Sequence, residues 1–480
     1  MVGSLIFSYL TSDGPRGERV ADVALSVPSL ANGGVSRDGL HLTYHLRHDV
    51  KWQDGYPLTA ADCIFTFHAI ENAANAIPSR NGYDDVASIA APDPFTLRVN
   101  LRRRAPSVLA NFLALDGNYA IMPAHLLGRY ASLNQIDFNE HPVGSGPYRV
   151  ITWMHGDYIA LEANARYFRG VPKVARLEMR FIPQTAALLD ELRTKEIDAA
   201  FSLDPSVYDT IRTVSGVRLV LTPVTGMGTI ILNTATGPTR DRRVREAVAL
   251  ALNVPLIVKN ASHGAFVPGN ARLAILGLAA DRTSAAERDP PRARRLLDAA
   301  GWHVGAGGFR ARDGARLTMT LAATAGSPLI ASAVTIVQAQ LAEIGIDAVV
   351  RMYSTQLFGA AVGPLFSGRF ELAIAGLTVG NDHDTGFLYS CAQRPPVGFN
   401  ISRLCDSHVD DLERDVARTY DPAQRLRSNV LLEQALERDV PEIVLWQPRR
   451  LSVFTDRLRG FAPAPVTPYT NSWRWSLQSR

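Results

Sequence analysis

The stretch LTYHLRHDVKWQDGYPLTAADCIFTFHAI, Leu42 to Ile70, holds a strand, a turn and a capped helix in one short run. Leu42, Tyr44 and Leu46 alternate with Thr43, His45 and Arg47, the period-two pattern of a strand with one buried and one wet face. Asp54-Gly55 marks a turn, because glycine accepts the positive φ that other residues resist. Thr59 and Asp62 form an acidic variant of the capping box, with Leu58 and Cys63 placed to close a hydrophobic staple, so a helix is predicted to begin at about Ala60. Taken singly, each of these residues is scaffold: it stabilises local structure and performs no chemistry.

Other short runs follow in a definite order. They are Val143-Gly144-Ser145-Gly146-Pro147-Tyr148; Leu161-Glu162-Ala163-Asn164 with Tyr167, Gly170 and Pro172; and Lys195-Glu196-Ile197-Asp198-Ala199. Next come Asp241, Val244, Arg245, Ala247 and Asn253, then Ala299-Ala300-Gly301-Trp302, Gly345-Ile346 and Pro441-Glu442-Ile443. The first stretch resembles the LR-x-x-V-K-W-x-D-G-x-P-x-T-A-x-D signature of the family 5 extracellular solute-binding proteins, the peptide, nickel and oligosaccharide receptors of ATP-driven importers. The later runs resemble that family's motifs in the same order, although Lys195 stands where glycine is usual. The likeness extends over nearly the whole chain.

The resemblance implies an α/β, two-lobed periplasmic-binding-protein-like fold (type II, cluster C), with a hinge and an extra small subdomain in the first lobe. Residues 1–145 are expected to form the small subdomain, 146–233 with 447–480 the main part of lobe 1, and 234–446 lobe 2. The chain then crosses between lobes twice, near Leu232-Asn233-Thr234 and near Leu445-Trp446-Gln447-Pro448. Two linkers make a hinge, and a ligand that touches both lobes favours the closed form.

Composition agrees. A length of 480 residues exceeds one ordinary core, and 46% hydrophobic with 20% charged residues describes a globular chain that is neither disordered nor membrane-embedded. The net charge of +4 comes with only four lysines against 46 arginines, scattered among acids rather than drawn into a basic stripe, which argues against nucleic acid as a partner. Arg102-Arg103-Arg104 is the densest cluster and reads as the solvated end of a strand over 95–101.

The amino terminus, MVGSLIFSYLTSDG, offers an apolar piece, Leu5 to Leu10, without the basic and small-residue flanks of a secretory signal and without a cysteine for lipid attachment. By resemblance, a first strand of the main lobe precedes this piece in relatives. The expectation is a protein that works in the periplasm or outside the cell and whose chain, as written, starts late.

Further along, strands are predicted over 176–182, 217–223, 229–233 and 347–352, helices over 184–194, 241–252 and 329–344, and an exposed hairpin over 301–313. The chain has three cysteines. Cys63 falls in the capped helix as a core residue. Cys391 and Cys405 flank a loop rich in proline and glycine; the resemblance implies a disulfide there, and two buried thiols are the alternative reading.

The ligand site follows from the resemblance as well. Tyr9, Thr225, Met227, Thr324, Leu377, Asn381, Asp382 and Asn400 are candidates for the cleft, with Asn381-Asp382 foremost. Gly380 stands where peptide-binding relatives carry an aspartate for the ligand's amino terminus, and Thr324 where dipeptide binders carry an arginine for its carboxylate. A site without either counter-ion disfavours a free dipeptide, since a buried charge without a partner is costly. The reading is therefore an oligopeptide held largely through its main chain, with an oligosaccharide or another uncharged polar solute second. No cofactor and no dedicated metal site are expected; a permease and ATPase complex is the implied partner of a monomer. The rival class is a metal-dependent hydrolase built on Asp382, His383 and Asp384. Consecutive side chains diverge, however, and neither H-E-x-x-H nor G-x-S-x-G occurs to complete such a site.

Overall fold

The structure is a computed structural model that describes residues 2–80, 82–117, 119–269, 287–379 and 383–478. The opening stretch forms the strand His41–His45, with Leu42 and Tyr44 buried and His41 and His45 exposed, followed by the helix Ala60–Glu71. Asp62 accepts a hydrogen bond from the Thr59 N–H at 2.8 Å, and a second from the Ala124 N–H at 2.9 Å. The capping residue thus also ties the helix to the segment that follows the sheet. Leu58 and Cys63 are both fully buried in the core beneath it. The strand His41–His45 pairs with Thr96–Leu101, which in turn pairs with Val86–Asp93, and this three-stranded sheet with its helix is the small subdomain.

The main part of lobe 1 contains two further three-stranded sheets. One has the order Tyr148–Met154, Tyr158–Ala163, Arg176–Arg180, and the other Val217–Pro223, Arg449–Thr455, Ala199–Leu203. Among the described residues, neither Arg176–Arg180 nor Ala199–Leu203 has a strand on its outer edge. A cavity of about 790 Å³ lies between those two edges, lined by Leu177, Met179, Phe181, Ala199 and Phe201. Leu5 and Ile6, expected in the small subdomain, pack instead with Tyr148, Leu161 and Trp475 of the main lobe. The Gly-Ser-Gly run explains the junction. A Cβ on Gly144 would fall 1.8 Å from the Ile6 carbonyl oxygen, and the Gly146 N–H donates to that same oxygen at 2.7 Å, so the two backbones meet where only glycine fits.

Lobe 2 is built on one six-stranded mixed sheet in the order Val267–Pro268, Glu442–Gln447, Gly226–Leu232, Leu372–Thr378, Thr318–Thr324, Asp347–Tyr353. The helices Arg242–Ala251, Val254–Ala261, Pro290–Ala299 and Pro328–Glu343 bury Val248, Ile257, Leu297 and Val337 against it. The predicted strand 229–233 is longer, begins at Gly226 and belongs to this sheet, where it pairs with Leu372–Thr378 and with Glu442–Gln447. The first crossing between lobes therefore falls at Val224-Thr225, ahead of the expected 232–234. Seven consecutive buried positions explain the early switch: a strand apolar on both faces needs the centre of a covered sheet. On the return, Trp446 still pairs within lobe 2, and Arg449 pairs with Pro223 of lobe 1. The predicted exposed hairpin is a small sheet of His303–Val304, Arg310–Arg312 and Ala315–Arg316. It is not wholly exposed, since Arg310 is buried and donates to the Ile344 and Trp302 carbonyls and to Asp298.

Candidate ligand-binding site

The two linkers lie side by side. The Val224 N–H donates to the Pro448 carbonyl at 3.3 Å, so the outgoing and returning chains are hydrogen-bonded to each other at the pivot. Above them a cavity of about 710 Å³ is enclosed by Ser202 and Leu203 of lobe 1, the linker residues, and Gly376, Leu377 and Thr378 of lobe 2. A second cavity of about 590 Å³ continues outward between the small subdomain, through Asp85, Arg103 and Arg104, and lobe 2, through Asp384, Phe387 and Glu413. Asp116 and Thr378 line both, so the two cavities form one cleft between the lobes.

The inner part of the cleft has an apolar wall made by Phe266, Leu329, Ile330, Leu377 and Trp446. Its floor is kept open by glycines. Gly228 pairs with Gly376 across the sheet; a Cβ on Gly228 would strike the Trp446 indole at 2.1 Å, whereas a Cβ on Gly376 would meet no atom within 4 Å. Asp116 is ion-paired with Arg19 at 3.2 Å. Arg450 donates to the carbonyls of Ala464, Pro465 and Val466, and its burial pushes its pKa down.

The outer part is strongly charged. Arg103 donates to Asp85 at 2.6 Å, a bond that raises the arginine's pKa further, with a smaller contribution from Asp384 across the cleft. The arginine cluster read as a solvated strand end thus supplies two cleft residues, Arg103 and Arg104. Elsewhere the lobes touch directly. His263 of lobe 2 meets Asp209 of lobe 1 at 3.2 Å, and the Tyr420 ring of lobe 2 packs against the core of the small subdomain, where burial pushes its phenol up to about 12.

Among the expected site residues, Thr225, Met227 and Leu377 all line the inner cavity. Tyr9 does not join them. It lines a separate cavity of about 60 Å³ inside lobe 1, beside Asp22, Tyr167 and Arg169, because the segment that carries it packs against the main-lobe core. Thr324 ends its strand opposite Tyr353 and lines neither part of the cleft. Asn400 is fully buried and occupied: its amide donates to the Tyr389, Ser390 and Leu404 carbonyls, and its oxygen accepts from Ser402. It organises the loop that the Cys391–Cys405 disulfide closes. Asn381 and Asp382 lie outside the described residues. Of the hydrolase trio, Asp384 lines the cleft and accepts from the Gly386 N–H at 3.0 Å, and His383 has φ of 63°.

The residues missed from sequence are Asp116, Gly376, Trp446 and Arg449. The last two had a legible signal, since WQPRR interrupts an apolar strand with an aromatic, a proline and two cations at the point of return between lobes.

A cleft between two α/β lobes joined by paired linkers defines a two-lobed binding protein, with the small subdomain as an addition to one lobe. The chain belongs to the bacterial extracellular solute-binding proteins, family 5, whose sequence model matches residues 26–398. It is 28% identical over 444 residues to the glutathione-binding protein GsiB of Escherichia coli O1:K1, covering 91% of this chain and 83% of GsiB. Among solved structures, the fold is similar to that of NikZ from Campylobacter jejuni in complex with Ni(L-His), with a TM-score of 0.82 and 24% identity over 98% of this chain and 94% of the other. It is also similar to the oligopeptide-binding protein AppA of Bacillus subtilis in complex with a nonapeptide, with a TM-score of 0.78 and 23% identity over 100% and 94%. The family is one of solute receptors of ABC importers, not of enzymes, which removes the hydrolase reading.

Proposed function

We propose that this protein captures an oligopeptide in the interlobe cleft outside the cytoplasmic membrane and, closed around it, presents it to the permease of an ABC importer. The observation that carries this reading is the continuity of the cleft. Two cavities of about 710 and 590 Å³ share Asp116 and Thr378, room for an extended ligand of several residues rather than a single amino acid. Apolar wall and charged outer part suit a chain whose side chains differ. Family membership and the similarity to a glutathione-binding protein support the same class of cargo. The protein acts as a monomer in which both lobes contribute to one site.

Gly376 gives a direct test. A Cβ added there meets no atom within 4 Å, and the residue is exposed and lines the cleft, so Gly376→Phe is expected to leave the melting temperature unchanged and to weaken peptide binding by more than about tenfold in calorimetry. Peptides are found by mass spectrometry of small molecules that co-purify with the wild-type protein. Unchanged affinity in the variant would place the ligand elsewhere.

A further inference from the structure

Three charged residues line the inner cavity: Asp116, Arg449 and Arg450. Two are committed to the protein itself, Asp116 to Arg19 and Arg450 to three carbonyls. Arg449 is the exception. It sits on the returning linker, half-buried, with its backbone paired to Pro223, and its guanidinium makes no hydrogen bond, ion pair or ring contact among the described residues. A guanidinium without a counter-ion in a cleft with an apolar wall becomes costly once a ligand excludes water from it, and an anion carried by that ligand removes the cost. The planar fork of arginine matches a carboxylate through two parallel N–H···O bonds.

We propose that Arg449 is a specificity-determining residue that reads a carboxylate on the ligand, whose apolar body lies against Phe266, Leu329, Ile330, Leu377 and Trp446. This rests on the cleft being the ligand site, as proposed above, and narrows its cargo to apolar acids, in the first instance peptides with a free carboxyl end. The anion reader stands on the hinge and not at Thr324. A ligand bound to Arg449 holds the returning linker and the lobe 2 wall together.

The test uses a library of apolar tripeptides made once as free acids and once as C-terminal amides, with bound species identified by mass spectrometry and their affinities measured by calorimetry. In the wild type the acids should bind about 10- to 100-fold more tightly than the amides, the range for a hydrogen bond to a charged group. Arg449→Gln should abolish the difference and Arg449→Lys should keep part of it. Neither variant removes a contact the fold uses, and unchanged melting temperatures check this. Equal binding of acids and amides by the wild type, or a preference that survives in Arg449→Gln, overturns the proposal. Should no tripeptide bind in either form, the peptide reading fails by itself; Arg449 is then judged by thermal shift with indole-3-acetate and indole-3-acetamide. Stabilisation by the acid alone, lost in Arg449→Gln, upholds the anion site, and any other pattern overturns it.

Discussion

Arg310 shows how one buried side chain fixes a local structure that composition hides. Its guanidinium is 2% exposed and bridges the small hairpin sheet to the end of the helix Pro328–Glu343 through the Ile344 carbonyl, and to Asp298 at 2.5 Å. The hydrogen bond from Arg310 is the chief reason the Asp298 carboxyl is held below the usual carboxylate range. A carboxylate with a depressed folded-state pKa stabilises the fold above its unfolded value, near 4, and that contribution disappears as pH falls through the folded value. Arg310→Met is therefore expected to lower stability at pH 7 and to lower it progressively less as pH falls through the depressed folded value of Asp298, where the wild type itself loses the ion pair. Urea melts of both proteins across that range measure it. A glycine-rich stretch short of apolar residues gave no sign of a buried cation, so this residue was illegible from sequence. The Gly144-Ser145-Gly146 run was legible as a motif, but its cause, the approach of the Ile6 backbone, required the folded chain.

At the scale of elements, legibility followed covalent nearness. The helix at Ala60, the strand Val217–Pro223 and the helix Arg242–Ala251 lie where the periodicity and caps placed them, because their signals are local. The strand at Gly226 was read three residues short, since two glycines break the apolar pattern for the sake of the cleft floor and the Trp446 ring. Tyr9 and Asn400 were misplaced for a related reason: whether a polar group serves a ligand or a loop depends on partners far along the chain. The disulfide is the element whose energetics are most open to measurement. Cys391 and Cys405 close a loop of fourteen residues' separation, which the chain-entropy account values at about 3 kcal/mol. Cys391→Ser with Cys405→Ser is expected to lose about that much in denaturant melts, and the wild type in a strong reductant should lose a similar amount. No loss in either would show that the Asn400 hydrogen bonds alone hold the loop.

For the molecule as a whole, the proposed capture depends on a pivot and two rims. The linkers cross at the Val224–Pro448 hydrogen bond, the rims meet at His263 with Asp209 and at Tyr420, and the cleft lies between. Neither rim contact was foreseeable, because each joins residues from different lobes whose sequences carry no shared pattern. These are modest contacts between surfaces, so closure without cargo should be shallow and a ligand that spans both lobes should decide the equilibrium. On the proposed function, cargo is enclosed and released unaltered. Small-angle X-ray scattering, with the peptide followed by chromatography in the same sample, reads enclosure and chemical integrity together. A fall in radius of gyration at saturating peptide, with the peptide recovered intact, is the predicted result. Scattering that does not change while bound peptide is consumed would contradict it.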